Sequence, residues 1–149
     1  MTQSIKDLLS QQDSINFAIN IGQSIHQKMR HVFVNNNIWT GDDILTKKLS
    51  KHPELTRFFI ENAQTEIQIA GTINGCFISR RIDRMIVNHI NKTIDILDYK
   101  TDHNRNDVIR EKYKKQVCEY IELMNKIYPN YTIHGFILWL HDCFLDNIF

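Results

Sequence analysis

Asp98 and Lys100 stand two residues apart at the end of the apolar run Ile94-Asp95-Ile96-Leu97-Asp98-Tyr99-Lys100-Thr101. In a strand, a period of two sends both side chains to one face, an acid beside an amine. A further acid, Asp83, comes earlier in Ile82-Asp83-Arg84-Met85-Ile86-Val87. Hydrolysis of a phosphodiester uses a metal to polarise the phosphoryl group and lower the pKa of the attacking water. It also needs a group that neutralises charge in the transition state. Two carboxylates and a lysine supply those parts, and the constellation points to a nuclease. Mg²⁺ takes oxygen ligands and keeps several waters, so Asp83, Asp98 and the carbonyl of Tyr99 would suffice. Lys100 would hold the water or the scissile phosphate.

Each residue also has a plainer reading. Alternation puts Asp83 on a face with Met85 and Val87, where an acid must be paired or metal-bound. Alone it reads as a salt bridge to Arg81, Arg84 or Lys100; the Asp98 and Lys100 pair on a neighbouring strand favours the site. His26 lies in the apolar stripe of a helix, where a histidine serves as a hydrogen-bonded core residue or as a ligand. As a ligand it would suit Mn²⁺ better than Mg²⁺. Glu66, opening a strand, either orients a metal-bound water or is solvated.

Gln116 and Tyr120 are four apart on one helix face, and a glutamine inside an apolar stripe must find partners for its amide. Packing alone explains Tyr120; beside a metal site, both could bind a DNA backbone. Arg81 and Arg84, with Arg80, Arg110, Lys112, Lys114 and Lys115, read equally as phosphate contacts and as solvated charge.

The elements that must position these groups follow from periodicity. Apolar residues at three- and four-residue steps predict an amphipathic helix over 13–34. Short helices are expected at 42–49 and at 53–62, the second with Pro53 at its first position. The period then changes to strands at 66–70, 76–87 and 93–100, broken by turns at 71–75 and 88–92. A helix over 107–127, a strand over 131–140 and a short last strand near 144–149 complete the order. The expected fold is α/β, a central mixed sheet flanked by helices with an N-terminal helical segment. One domain is expected over 1–149, about 1–62 helical and carrying His26, and about 63–149 holding the sheet-and-helix core.

At 149 residues, 42% hydrophobic and 23% charged, the chain is sized for one core. A net charge of +1 gives no bulk electrostatic case for nucleic acid, so any such case is local. Cys76, Cys118 and Cys143 are odd in number and widely spaced, which supports no disulfide framework and no iron-sulfur cluster. They read as reduced, mostly buried thiols. Without a signal peptide or a long apolar run, a cytoplasmic protein with no membrane contact is expected.

Taken together, the set resembles a known family. His26 in Gly22-Gln23-Ser24-Ile25-His26, Glu66, Ile82-Asp83-Arg84, Leu97-Asp98-Tyr99-Lys100-Thr101 and Gln116-Val117-Cys118-Glu119-Tyr120 are similar to the C-terminal nuclease domain of RecB and AddA. These are helicase-nuclease subunits of bacterial double-strand-break repair, in the PD-(D/E)xK superfamily. The ending Ile127-Tyr128-Pro129, then Phe136-Ile137-Leu138-Trp139, is most similar to AddA-type subunits. The resemblance runs from about residue 14 to the C-terminus.

It implies a restriction-endonuclease-like core, with His26, Asp83, Asp98 and the Tyr99 carbonyl as ligands to Mg²⁺ or Mn²⁺. Lys100 would be the catalytic lysine, and Gln116 and Tyr120 the QxxxY motif. It further implies single-stranded DNA as the preferred substrate and a helicase or AddB-like subunit as partner. The chain departs from the family in lacking a glycine shortly before Asp83 and in carrying Trp139-Leu140 where Trp-Thr is common. It has no GxxxxGK[ST] phosphate loop, so no nucleotide cofactor is expected.

Overall fold

The computed structural model describes residues 4–149; the first three residues of the expected 1–149 domain lie outside the described residues. Helix α1 spans Ile5–Met29, with the Ser4 hydroxyl accepting from the Lys6 N–H as its cap. It begins earlier and ends sooner than the stripe predicts. Residues 33–40 instead form a hairpin of β1 (Phe33–Asn35) and β2 (Ile38–Thr40). Asn36 and Asn37, at φ 49° and 63°, make the two-residue turn, a conformation asparagine tolerates. Helix α2 (Asp43–Leu49) follows, capped by Asp42, and then a 3₁₀ turn, Pro53–Phe58.

The main sheet holds β3 (Gln64–Ile73), β4 (Cys76–Asn88), β5 (Thr93–Lys100), β6 (Thr132–Trp139) and β7 (Phe144–Asn147), ordered as named. Asn74-Gly75 turns β3 into β4 with both φ positive, so Gly71 lies inside a strand rather than in the turn. Helix α3 (Asp107–Ile127) carries the chain from β5 to β6, which is what their parallel pairing requires. The other neighbours pair antiparallel, and the sheet is mixed.

Each face of the sheet buries its own core. Ile82, Met85, Ile94, Ile96, Ile137 and Trp139 pack under α3 with Val117, Tyr120 and Leu123. The helix sits close because Gly135 has no side chain: a Cβ there would stand 2.5 Å from Val117 Cγ1. On the other face Leu97, Tyr99, Phe136 and Leu138 pack against Met29, Val32, Val34, Leu49, Leu55, Phe58 and Phe59. The α1 end, the hairpin, α2 and the 3₁₀ turn thus form a layer opposite α3. Among the described residues no helix is long and apolar enough to cross a membrane. The three cysteines are free; Cys143 is buried and Cys118 half-buried, whereas Cys76, at a hairpin tip, is exposed, contrary to its expected burial.

Arg84 ties this second layer to the sheet, and its position overturns the expectation that it meets phosphate. The side chain is 0% exposed. Nε donates to the Tyr99 hydroxyl at 2.7 Å, and Nη2 donates to the carbonyls of Met29 and Val32, each at 2.9 Å. The guanidinium carbon lies 4.4 Å from the Phe59 ring centroid and 4.9 Å from that of Phe33. Met29 ends α1, where the helix dipole is negative, and its carbonyl accepts from the Val32 N–H as well as from Arg84. Dipoles and ring faces therefore stand in for a counter-ion. Arg84→Met, which strips the Val32 carbonyl and the Tyr99 hydroxyl of a buried donor and leaves the Met29 carbonyl only its bond from the Val32 N–H, should lower unfolding free energy by about 3 kcal/mol or more in urea titration. A loss within experimental error would show that the layer does not depend on the guanidinium.

Candidate active site

The alternation of β4 slips at Asp83. Ile82 and Met85, three apart, both join the core under α3, and Glu66 and Asp83, opposite each other, drop out of the β3–β4 ladder, whose register is the same on either side. Asp83 therefore leaves the shared face expected with Met85 and Val87. The β4–β5 pairing ends at Arg84 and Leu97, while β5 stays paired with β6 as far as Lys100. Beyond that point the Asp83 carboxylate accepts from the Tyr99 N–H at 2.8 Å. The two strands part around a side chain, and the site occupies the opening.

His26 reaches this opening from α1. Its Nδ1 is 2.8 Å from the Gly22 carbonyl, and its Nε2 lies 3.2 Å from the Tyr99 carbonyl and 3.4 Å from Asp83 Oδ2. Every neighbour of both ring nitrogens is an acceptor, so the ring is held protonated here. Its pKa is raised above 6.5, chiefly by the hydrogen bond to Asp83; burial opposes the shift, and the charges of Asp83 and Asp98 add to it.

Asp98 is 2% exposed and on the α3 face. Burial pushes its carboxyl up from 3.8 to about 6, against the pull of Lys100; the charge of Asp83 raises it further. Lys100 Nζ is 2.8 Å from Asp98 Oδ2, an ion pair off the angle of a hydrogen bond, so this buried oxygen has no hydrogen-bond donor. Lys100 also donates to Gln116 Oε1 at 3.0 Å, Gln116 Nε2 donates to the Tyr120 hydroxyl at 2.6 Å, and that hydroxyl donates to Asp98 Oδ1 at 3.3 Å. The four side chains close a ring.

Within that ring Tyr120, 1% exposed, faces the interior, and the half-buried Gln116 uses both ends of its amide. Tyr113 went unsingled in the sequence, though it stands three residues before Gln116 on the same helix face. Its ring centroid is 4.2 Å from Lys100 Nζ, and its hydroxyl donates to Asp102 at 2.7 Å.

Glu66, at φ 51°, projects between Arg30, at 3.3 Å, and Arg81, at 3.9 Å. It does not reach the carboxylates. With His26, Arg30, Arg81, Thr101, Asp102 and Tyr113 it lines a cleft of about 1070 Å³ beside α1. Asp83, Asp98 and Lys100 do not line that cleft; His26 and Tyr113, which do, touch Asp83 and Lys100.

Among the described residues no three His, Cys, Asp or Glu side chains stand close enough to hold a metal ion by themselves. What converges is His26 Nε2, Asp83 Oδ2 and the Tyr99 carbonyl; Asp98, just before Tyr99, adds an oxygen that is ion-paired with Lys100 but has no hydrogen-bond donor. One nitrogen and three oxygens, one of them lacking a donor, fit a small divalent cation such as Mn²⁺ or Mg²⁺.

No family model matches the chain, and no curated protein matches it. Among solved structures it is similar to a putative exonuclease from Eubacterium rectale. The identity is 13% and the TM-score 0.47, over 93% of this chain and 55% of that one. At such identity the likeness does not bear on chemistry, which rests on the geometry above.

The pKa directions fix a pH dependence. An acid raised from 3.8 to about 6 makes the folded state hold its proton more tightly, so stability from Asp98 is full below 3.8 and falls as pH rises to about 6. His26 acts in the same sense, its contribution being lost as pH rises above 6.5 through the folded pKa. Without divalent cations, urea unfolding should therefore show the chain less stable at pH 8 than at pH 5. Asp98→Asn should flatten the part of the curve between pH 4 and 6. An unchanged slope in that variant would refute the raised Asp98 pKa.

Proposed function

We propose that this chain is a metal-dependent deoxyribonuclease of the RecB and AddA kind. It would hydrolyse single strands, in exonuclease mode, during double-strand-break repair or recombination in the cytoplasm. The observation that carries the reading is the convergence of His26 Nε2, Asp83 Oδ2 and the Tyr99 carbonyl next to a buried carboxylate that touches a lysine. Those three donors and Asp98 would hold Mg²⁺ or Mn²⁺. When bound, the cation would polarise the phosphoryl group and acidify a water.

The chain's own groups supply the rest. The ring of Gln116, Tyr120 and the Tyr113 face fixes Lys100, whose ammonium then meets negative charge as it develops on the phosphate. A cation on Asp83 would displace the His26 proton, since a ligating imidazole is neutral. Arg30 and Arg81 at the cleft rim are the candidate phosphate contacts, held in place by Glu66. A helicase or AddB-like subunit would deliver the strand, because a net charge of +1 attracts DNA weakly.

A second reading, a catalytically silent DNA-binding or docking module, is favoured by the ion pair that already engages Asp98. Cleavage of end-labelled single- and double-stranded DNA separates the two. The purified chain should cut with Mg²⁺ or Mn²⁺, preferring single strands, and not with EDTA. Lys100→Ala should lower the rate by about a hundredfold or more while leaving the fold intact. Equal cleavage by Lys100→Ala, or cleavage in EDTA, would overturn the proposal.

A further inference from the structure

Between Lys100 and the start of α3 the chain runs through Thr101-Asp102-His103-Asn104-Arg105-Asn106. Three of these residues are tied down. The Asp102 carboxylate accepts from the Tyr113 hydroxyl at 2.7 Å, and the His103 ring centroid lies 4.0 Å from that of His141. Arg105 Nη1 donates to both Asp142 oxygens, at 2.6 and 2.8 Å. His141 and Asp142 lie in the turn between β6 and β7, just after Leu140, whose N–H donates to the Lys100 carbonyl at 2.9 Å. The segment that follows the lysine is thus held against its neighbours along its length.

Tyr113 is where this anchoring bears on the site. Its hydroxyl meets Asp102 while its ring centroid lies 4.2 Å from Lys100 Nζ, so two residues two apart in sequence share one phenol. Asp98 and Gln116 hold the ammonium by an ion pair and a hydrogen bond, and the ring face adds a third contact. An ammonium is attracted to a ring only while the face is turned toward it. Tyr113 is half-buried and lines the cleft, so its ring has room to turn. The bond to Asp102 removes that freedom.

We propose that Asp102 is a positioning residue for Lys100, acting through the Tyr113 ring. Among the described residues its bond is to the phenol, whereas the ion pair of Lys100 is with Asp98. Asp102 sets where the ring stands, and the ring sets where the ammonium stands to meet charge developing on a phosphate. The catalytic consequence rests on the nuclease reading; the placement of Lys100 does not. Two other roles compete: a staple that only holds α3 to the end of β5, and direct contact of Asp102 with substrate in the cleft it lines.

Nuclear magnetic resonance of the lysine side chains reads the placement directly. The ε-methylene protons of Lys100, identified by their loss in Lys100→Arg, should be shifted upfield of an exposed lysine by the ring current of Tyr113. Those of Lys112, whose Nζ is 5.8 Å from the same centroid, should be shifted less. Asp102→Ala and Tyr113→Leu should move the Lys100 signal toward the exposed position. Asp102→Asn, whose amide oxygen still accepts from the phenol, should keep it.

Cleavage of a single strand by the same variants reads the consequence. Asp102→Ala and Tyr113→Phe should each lower kcat about fivefold or more with KM changed by less than about twofold. Asp102→Asn should restore most of the rate. The double variant Asp102→Ala, Tyr113→Phe should be no slower than either single one, because both remove the same bond. A Lys100 signal unmoved in Asp102→Ala would overturn the proposal, as would losses that add in the double variant. A loss in Asp102→Ala that Tyr113→Phe does not share would overturn it in favour of substrate contact, and a lowered thermal transition with kcat unchanged would leave only a staple. If the parent chain cleaves nothing, the nuclease reading fails, and the Lys100 signal alone decides whether Asp102 places the ammonium.

Discussion

The buried guanidinium of Arg84 is the constraint on which the rest of the structure depends. It gathers the end of α1, the turn after it and the Tyr99 hydroxyl into one set of hydrogen bonds. Burial in turn keeps that phenol protonated, with its pKa pushed up to about 12. The neighbours of these two residues in sequence are Asp83 and Asp98. On both strands one residue anchors the layer carrying His26, and the residue before it supplies a carboxylate to the site. The backbone of Tyr99 joins the two functions, its N–H going to Asp83 and its carbonyl facing His26. His26 thus stands at the carboxylates because α1 ends on Arg84.

The site itself works against stability. Asp98 is almost wholly buried, one of its oxygens lacks a donor, and its carboxyl is forced upward in pKa. A hydrophobic residue there would fold better, since a buried ion pair seldom outweighs the loss of hydration of its partners. Lys100 lessens the strain without relieving it, held as it is by Gln116 and the Tyr113 ring. Such an arrangement suits a cation that would relieve it on binding.

Much of this was legible in the sequence. Helix α3 matches its expected 107–127 span, because a long amphipathic stripe ending near Pro129 has few alternatives. The strands and the mixed sheet followed from alternation, with the break expected over 71–75 narrowing to the Asn74-Gly75 turn. The β1–β2 hairpin did not emerge, because three-residue strands carry too little periodicity and Asn36-Asn37 was the sole sign. Arg84 was misread because it stands near Arg80 and Arg81 in a strand that looks like a basic rim. Its acceptors are backbone carbonyls of residues 26 to 55 positions away, which no local pattern reveals. Gln116 and Tyr120 were read as DNA-backbone contacts beside a metal site; their bonds to Lys100 and Asp98 were hidden, because whether a polar pair on a helix faces solvent or a buried carboxylate is decided by packing. The slip at Asp83 was likewise hidden, since alternation read through Met85 and Val87 assumes an unbroken ladder.

The most direct test is titration of the purified chain with Mn²⁺, followed by calorimetry and by the electron paramagnetic resonance signal of the free ion. The account predicts one ion bound per chain with release of the His26 proton, and loss of that binding in Asp98→Asn and Asp83→Asn. Absence of binding, or binding undiminished in both variants, would contradict it.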